Sequence, residues 1–334
     1  VIVIFLIAIV VVFLVFLYRA RITGKVIGVQ VTDISNCGVL SSENTIYNLT
    51  QDVSANICFS VTANNVTLHC NGHQVTYATT DFGGGIFSDR NFTSVKNCKF
   101  QEGTIYGTEG AIKFSKVNNG LIFNNTIITI GPQSPGVILS DSNNNVAQNN
   151  NITSNNNLPS GIWVKSGSVN NSILGNIIQG SGTGIRLEAS SNILNNNTIT
   201  TSGTSGHGIF IVLGSNNTFK NDVITTSGTN ANGIFIQSPG EGNVFFDTIV
   251  NASSADDTLF LSSLPGTINF TNVTLVNNRL AFGSGSTARL NVHWYMDVFA
   301  NYTNGSLASN VNVTARNVSG AVALIKQAHP DWAP

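Results

Sequence analysis

The residues able to do acid–base, nucleophilic or metal chemistry are few here and widely spaced: 16 acids, 15 lysines and arginines and 5 histidines in 334 residues. Asp81, Asp89, Glu102, Glu109, Asp141, Glu188, Asp222, Glu241 and Asp247 each stand singly. Asp256 and Asp257 are adjacent, but neighbours on a strand point to opposite faces, so the pair reads as a solvated turn and not as an acid–base couple. His69 and His73 flank Cys70, His207 precedes a short apolar run, and His293 and His329 are remote in sequence, so a histidine satisfied by local structure is the expectation at each. No phosphate loop, nucleophile elbow or metal-ligand spacing occurs. The chain is expected to be no enzyme, with no catalytic residue, metal or cofactor.

Covalent chemistry has more to work with. Asn-x-Ser/Thr acceptors recur at Asn48, Asn65, Asn91, Asn124, Asn151, Asn170, Asn196, Asn216, Asn251, Asn269, Asn272, Asn301, Asn304, Asn312 and Asn317. A chain with 46 asparagines produces some of these by chance; the excess points to an exported surface carrying N-linked glycans. Cys37, Cys58, Cys70 and Cys98 all lie in the first third and form no C-x-x-C pair, which favours disulfides over zinc or redox chemistry.

The elements that position these residues follow from an internal repeat. A Gly-apolar core recurs at Gly85-Ile86-Phe87, Gly110-Ala111-Ile112, Gly136-Val137-Ile138, Gly161-Ile162-Trp163, Gly184-Ile185-Arg186, Gly208-Ile209-Phe210 and Gly233-Ile234-Phe235, and one further step reaches Thr258-Leu259-Phe260. A second register of Asn- or Asp-led turns tracks it, from Asn125-Thr126-Ile127 to Asp247-Thr248-Ile249. Short β-branched runs bounded by Gly, Asn and Ser are strands separated by turns. Stacking one such repeat on the next at about 4.8 Å gives an all-β parallel β-helix of about eight or nine coils. Ile162, Ile185, Ile209 and Ile234 should then form an internal stack, with Phe210 and Phe235 outward and stacking towards Trp163, a row able to hold sugar rings or to lie packed under a neighbour. Asparagine suits the corners, since it tolerates left-handed backbone and can bond to an asparagine on the next coil. Cys70 and Cys98 are about one repeat apart and would pair on adjacent coils, leaving Cys37 with Cys58; buried free thiols are the alternative.

The segments Cys37-Gly38-Val39-Leu40, Tyr47 to Val53, Cys58-Phe59, Asn64 to His73 and Val95-Lys96-Asn97-Cys98 resemble the start of exported right-handed parallel β-helix proteins, pectin-lyase-like in fold, related to carbohydrate-binding and sugar-hydrolysis repeats and frequent on archaeal surfaces. The resemblance implies the fold over residues 30 to about 280 and a surface location. Members range from enzymes to inert stalks, so it implies no activity. Polysaccharide-cleaving relatives need carboxylates converging on one face, or a base with bound calcium, and the single acids above do not supply either.

Val1 to Tyr18 is an unbroken apolar run which as a helix would be about 27 Å long, close to one hydrocarbon core, and it ends at Arg19 and Arg21. It is apolar on every face and lacks the basic leader and small-residue cleavage site of a signal peptide. A chain whose first residue opens such a run resembles the N-terminal helix of mature type IV pilin-like subunits, although Phe5 stands where bacterial pilins carry glutamate. That resemblance implies self-assembly through Val1, Phe5, Ile9, Val12 and Phe16. Two external arginines run mildly against the positive-inside rule for a plain anchor.

The expected organisation is a transmembrane or filament-core helix at 1–22, an opening segment with the cysteines at 23–84, β-helix repeats at 85–285 and a small C-terminal β cap or Ig-like addition at 286–334. Charged residues are 9% of the chain and the net charge is -1, which excludes a duplex-binding footprint. The expected partners are copies of the chain itself, the membrane before assembly, covalent glycans and surface polysaccharide, with no nucleic acid. The leading expectation is the glycosylated subunit of an extracellular pilus-like filament with an adhesive or protective role. The alternative is a membrane-anchored β-helix that binds or processes polysaccharide.

Overall fold

The computed structural model describes residues 28–293, apart from 105–108, 156–159, 239, 261–265 and 285. The expected N-terminal helix with Val1, Phe5, Ile9, Val12 and Phe16, the sequons at Asn301, Asn304, Asn312 and Asn317, His329 and the cap beyond His293 lie outside the described residues.

Strands here are only two to five residues long, because a left-handed Asn or a Gly turns the chain after each short alternating run. They assemble into three parallel sheets of 12, 11 and 10 strands, here named A, B and C, visited in the repeating order B, A, C. Sheet A runs from Gln30–Ile34 to Arg289–His293, sheet B from Gly38–Leu40 to Leu280–Phe282 and sheet C from Val53–Ser54 to Thr274–Leu275. This is an all-β parallel solenoid of about ten turns, longer than the eight or nine expected. The opening segment already pairs in register from Gln30, and Arg289–His293, expected to begin a separate cap, pairs in parallel with Thr267–Thr271.

The interior is a set of aligned stacks. Val137, Ile162, Ile185, Ile209 and Ile234 face one another on successive sheet B strands, all with no exposed surface. Inside sheet A, Phe219 lies flat on Phe245 at 4.1 Å, and Phe270 meets Phe245 edge-on at 5.2 Å. The glycine before each isoleucine has a steric cause: a Cβ on Gly208 would lie 2.2 Å from Cγ2 of Ile224, the sheet C residue beneath it. One frame of the sequence alignment is corrected by the register. Ile86 pairs with Ile112, so Ala111 and not Gly110 takes the glycine place in that coil, and Lys113 is the outward residue.

Asparagine performs two jobs at each corner. Between sheets A and C the turn is two residues in most coils. The first is left-handed, as at Asn97, Asn124, Asn149, Asn196 and Asn221 (φ 53 to 58°). The second points inward and forms a ladder. The backbone N–H and Nδ2 of Asn125 donate to Oδ1 of Asn150, those of Asn150 to Asn176, those of Asn176 to Asn197 and those of Asn197 to Asp222, at 2.8–3.0 Å. A second ladder of the same design joins Asn145, Asn171, Asn192, Asn217 and Asn243 between sheets B and A. The asparagine side chains of both ladders are buried and hydrogen-bonded, so much of the asparagine excess is structural. Cys37 is joined to Cys58 and Cys70 to Cys98, stapling the first coils.

Candidate functional site

The outward residues of sheet B form one continuous row. Phe87, Lys113, Ile138, Trp163, Arg186, Phe210 and Phe235 pair in register on seven successive strands. Strand alternation turns each side chain outward, all half-buried except Ile138, which is covered, and the stacking of the coils sets them about 4.8 Å apart. Trp163 does not stack on Phe210 as expected, because Arg186 occupies the coil between them. Its guanidinium lies 4.8 Å from the Trp163 ring and 5.5 Å from Phe210, while Lys165 sits 4.1 Å over the same indole. Phe210 and Phe235 are 4.9 Å apart, and His207 stacks on Phe235 at 4.3 Å. The row is thus a half-buried run of rings and cations, interrupted at Ile138, which is buried, with Lys113 beside Phe87 and Arg186 between Trp163 and Phe210.

At its C-terminal end the row opens into a cleft of about 500 Å³, lined by His207, Asn230, Asn232, Phe235, Asp256 and Arg279 among others. At the other end an apolar hollow of about 310 Å³ is lined by Ile57, Ile86, Phe87 and Lys113, with Glu109 at its side.

Glu188, Glu109 and Asp257, near this face, are tied off. Glu188 accepts from Arg186 at 2.7 and 2.8 Å, and Glu109 pairs with Lys113. Asp257 corrects the expectation of a solvated turn. It is fully buried, its Oδ1 accepts from the Ala252 N–H and its Oδ2 from the N–H groups of Asn277 and Arg279. Buried backbone donors in a loop need an acceptor, and a carboxylate supplies several lone pairs at once. Asp256, its neighbour, faces the cleft. Elsewhere Asp89 pairs with Arg90, buried Glu102 accepts from Ile130 and Gly131, Asp247 accepts from Asn272, and Asp222 ends the A–C ladder. Asp81 caps its own loop at Phe82.

His207 is the histidine drawn into the site. Burial pushes it down to about 4, so the ring is neutral at physiological pH. Its Nδ1 accepts from the Asn232 N–H at 3.1 Å, which leaves the proton on Nε2. His73 pairs with Asp52 at 3.3 Å, and the Gln74 N–H is the main reason Asp52 lies below its usual value. His69 is bonded to Asn97, and His293 ends an exposed strand. Among the described residues no three of His, Cys, Asp and Glu are grouped as metal ligands.

The sequons have a clear geography. All eleven that are described have a partly or fully exposed asparagine. Nine lie on the outer face of sheet A or at its corners, Asn151 and Asn251 lie on sheet C, and among the described residues none lies on sheet B or lines the cleft.

Solved structures with a similar fold are found among known proteins. The tailspike protein of E. coli bacteriophage HK620, a mutant in complex with hexasaccharide, superposes with a TM-score of 0.50 at 10% identity, over 80% of this chain and 57% of its own. The fold is a right-handed parallel β-helix, pectin-lyase-like in kind. This chain therefore spans somewhat over half the length of the tailspike. PfbA, a surface adhesin of Streptococcus pneumoniae, aligns with a TM-score of 0.44 at 12% identity over 80% of this chain and 84% of that one. The mannuronan C-5 epimerase AlgE6 A-module of Azotobacter vinelandii aligns with a TM-score of 0.44 at 10% identity over 81% and 92%. The family described as periplasmic copper-binding protein (NosD) matches residues 156–309. Within that span there is no cysteine, and the Nδ1 of His207 is already occupied by a backbone donor, so the described residues do not compose a copper centre. No curated protein sequence matches the chain.

Proposed function

We propose that this chain is a non-enzymatic, glycosylated cell-surface protein in which the solenoid holds an adhesive face, the sheet B row, away from the cell. The observation that carries this reading is the register of Phe87, Lys113, Trp163, Arg186, Phe210 and Phe235 along one side, with the carboxylates of Glu188, Glu109 and Asp257 engaged by Arg186, Lys113 and backbone N–H groups. Rings offer apolar faces to the C–H side of sugars, and the cations and cleft amides offer donors to their hydroxyls, while among the described residues no acid pair stands free on this face to cleave a glycosidic bond. Two disulfides fit an exported protein.

The display we propose is a pilus-like filament, in which Val1 to Tyr18 packs helix on helix with copies of itself and the solenoid coats the outside. An apolar run with no polar face needs such cover outside a membrane. The cleft beside His207, Asp256 and Arg279 favours a second reading, a membrane-anchored β-helix that binds and processes surface polysaccharide.

The test is binding of the purified chain to polysaccharides from the producing cells and their neighbours, measured by affinity electrophoresis, with chain cleavage followed as new reducing ends. Retardation that falls at least tenfold in Trp163→Ala and Arg186→Ala, with no new ends, supports the adhesive reading. New ends abolished in His207→Ala or Asp256→Asn establish the processing reading, and equal migration of parent and variants overturns the assignment of the face. Electron microscopy of sheared filaments, with peptide mapping, decides the form of display.

A further inference from the structure

The sequons differ in how far the side-chain amide is engaged: some use Nδ2, some only Oδ1, and four use neither. In Asn65, Asn124 and Asn272 the Nδ2 donates to a neighbouring coil at 2.7–2.8 Å, and in Asn48 it reaches Asp33 at 3.4 Å. Asn91 holds the Asn118 N–H with its Oδ1, and Asn251 and Asn269 accept from Asn277 and Asn291. Asn151, Asn170, Asn196 and Asn216 are different. Each is exposed, and among the described residues its side-chain amide makes no hydrogen bond. Asn170, Asn196 and Asn216 stand at left-handed corners (φ 56 to 58°), where the side chain projects away from the coil.

These four flank sheet A. Asn170 and Asn216 mark the corner entering sheet A, two coils apart; Asn196 marks the corner leaving it, and Asn151, two coils earlier, is the first residue of the sheet C strand just beyond that corner. Two coils are about 10 Å, enough to seat oligosaccharides side by side, whereas successive coils at about 4.8 Å would crowd them.

Resting on the glycoprotein reading above, we infer that Asn151, Asn170, Asn196 and Asn216 are the modified positions, so that sugars line both edges of sheet A and the sheet B row stays bare. In the transfer, the amide nitrogen attacks the anomeric carbon of a lipid-linked glycosyl phosphate donor. The C–N bond forms as the C–O bond to phosphate breaks, the amide proton passes to a base of the transferase, and the phosphorylated lipid leaves with the electron pair. The chain supplies only the acceptor. The consequence is a two-sided rod with a hydrated, sugar-coated flank and a contact flank free of sugar.

The experiment is glycopeptide mass spectrometry on protein from the producing cells, with Thr153→Ala, Ser172→Ala, Thr198→Ala and Thr218→Ala, each of which removes one acceptor motif while leaving both corner asparagines. Sugar on the four sites in the parent, with each variant lighter by one oligosaccharide, is the expected result. Sugar concentrated on Asn48, Asn91 or Asn269 with these four bare overturns the inference and leaves the glycoprotein reading standing. Unmodified peptides at every sequon overturn both.

Discussion

Asp222 ends the A–C ladder with the wrong group for the position, and replacing it with asparagine should repair it. The carboxyl is fully buried. Its Oδ1 accepts from the N–H and Nδ2 of Asn197, but its Oδ2 has no hydrogen-bond partner. Burial raises it from 3.8 to about 7, against the lowering effect of the Asn197 bonds. An acid raised in this way holds its proton more tightly folded than unfolded. Its ionisation therefore costs stability progressively as pH rises from about 4, and the loss is complete somewhat above 7. At about 1.4 kcal/mol per unit, that loss is on the order of 4 kcal/mol. His207 works the other way. Pushed down from 6.5 to about 4, it costs stability as pH falls through the same range, so the parent protein alone shows a shallow profile. The difference between parent and Asp222→Asn isolates the carboxyl, since His207 is common to both. In the variant, Nδ2 takes the place of Oδ2. By the pattern of Asn176 to the Ala147 carbonyl and Asn197 to that of Ile173, it meets the Leu194 carbonyl. Urea unfolding followed by circular dichroism at pH 4 and pH 8 should show the variant within about 1 kcal/mol of the parent at pH 4 and roughly 3–5 kcal/mol more stable at pH 8. An advantage of the same size at both pH values would refute the reasoning.

Within the same ladder, Asn176→Ala removes four hydrogen bonds and strands the Asn150 N–H and the Ala147 carbonyl. Two or three orphaned buried groups should cost about 3–6 kcal/mol in urea unfolding, and a cost below 1 kcal/mol would contradict the ladder's role. The Cys70–Cys98 bridge closes 28 residues, worth roughly 3.5 kcal/mol of unfolded-state entropy; the Cys70→Ser, Cys98→Ser pair should lose about that in thermal or urea melts, and an unchanged midpoint would refute it. Phe92 is held at φ 59° with its ring half exposed, so Phe92→Asn, compared on unglycosylated protein because it adds an acceptor with Thr93 and Ser94, should gain about 1 kcal/mol; destabilisation would show that the ring packs usefully.

The repeat was readable because the interior accepts so little variation. From Gly136 to Gly233 the Gly208-type positions leave no space for a Cβ over a sheet C isoleucine or valine, and each internal aliphatic residue meets another on the next coil. Both therefore recur in the sequence at coil spacing. The doubled role of asparagine followed from its left-handed tolerance and its amide. Gly110 was misplaced because Ala111 stands where the other coils have glycine, and the sequence offered two frames one residue apart. The Arg186 interleaving was available in the alignment, since Arg186 holds the place of Phe210, but a ring-to-ring expectation passed over it. Asp257 was not legible. Its burial depends on N–H groups 20 and 22 residues further on, in the next coil, and nothing local distinguishes it from Asp256.

The two-residue A–C turn has a consequence for how such a chain can change. Coil lengths vary along the molecule, yet from Asn97-Cys98 to Asn272-Val273 this turn keeps its length, so every extra or missing residue is absorbed on the flanks of sheet B. One edge acts as a spine that sets pitch and direction, and the opposite margin is free to lengthen, shorten and exchange side chains without disturbing it. Lineages carrying this chain could therefore rewrite what the rod touches, or add whole coils to extend its reach, while inheriting the same backbone ruler.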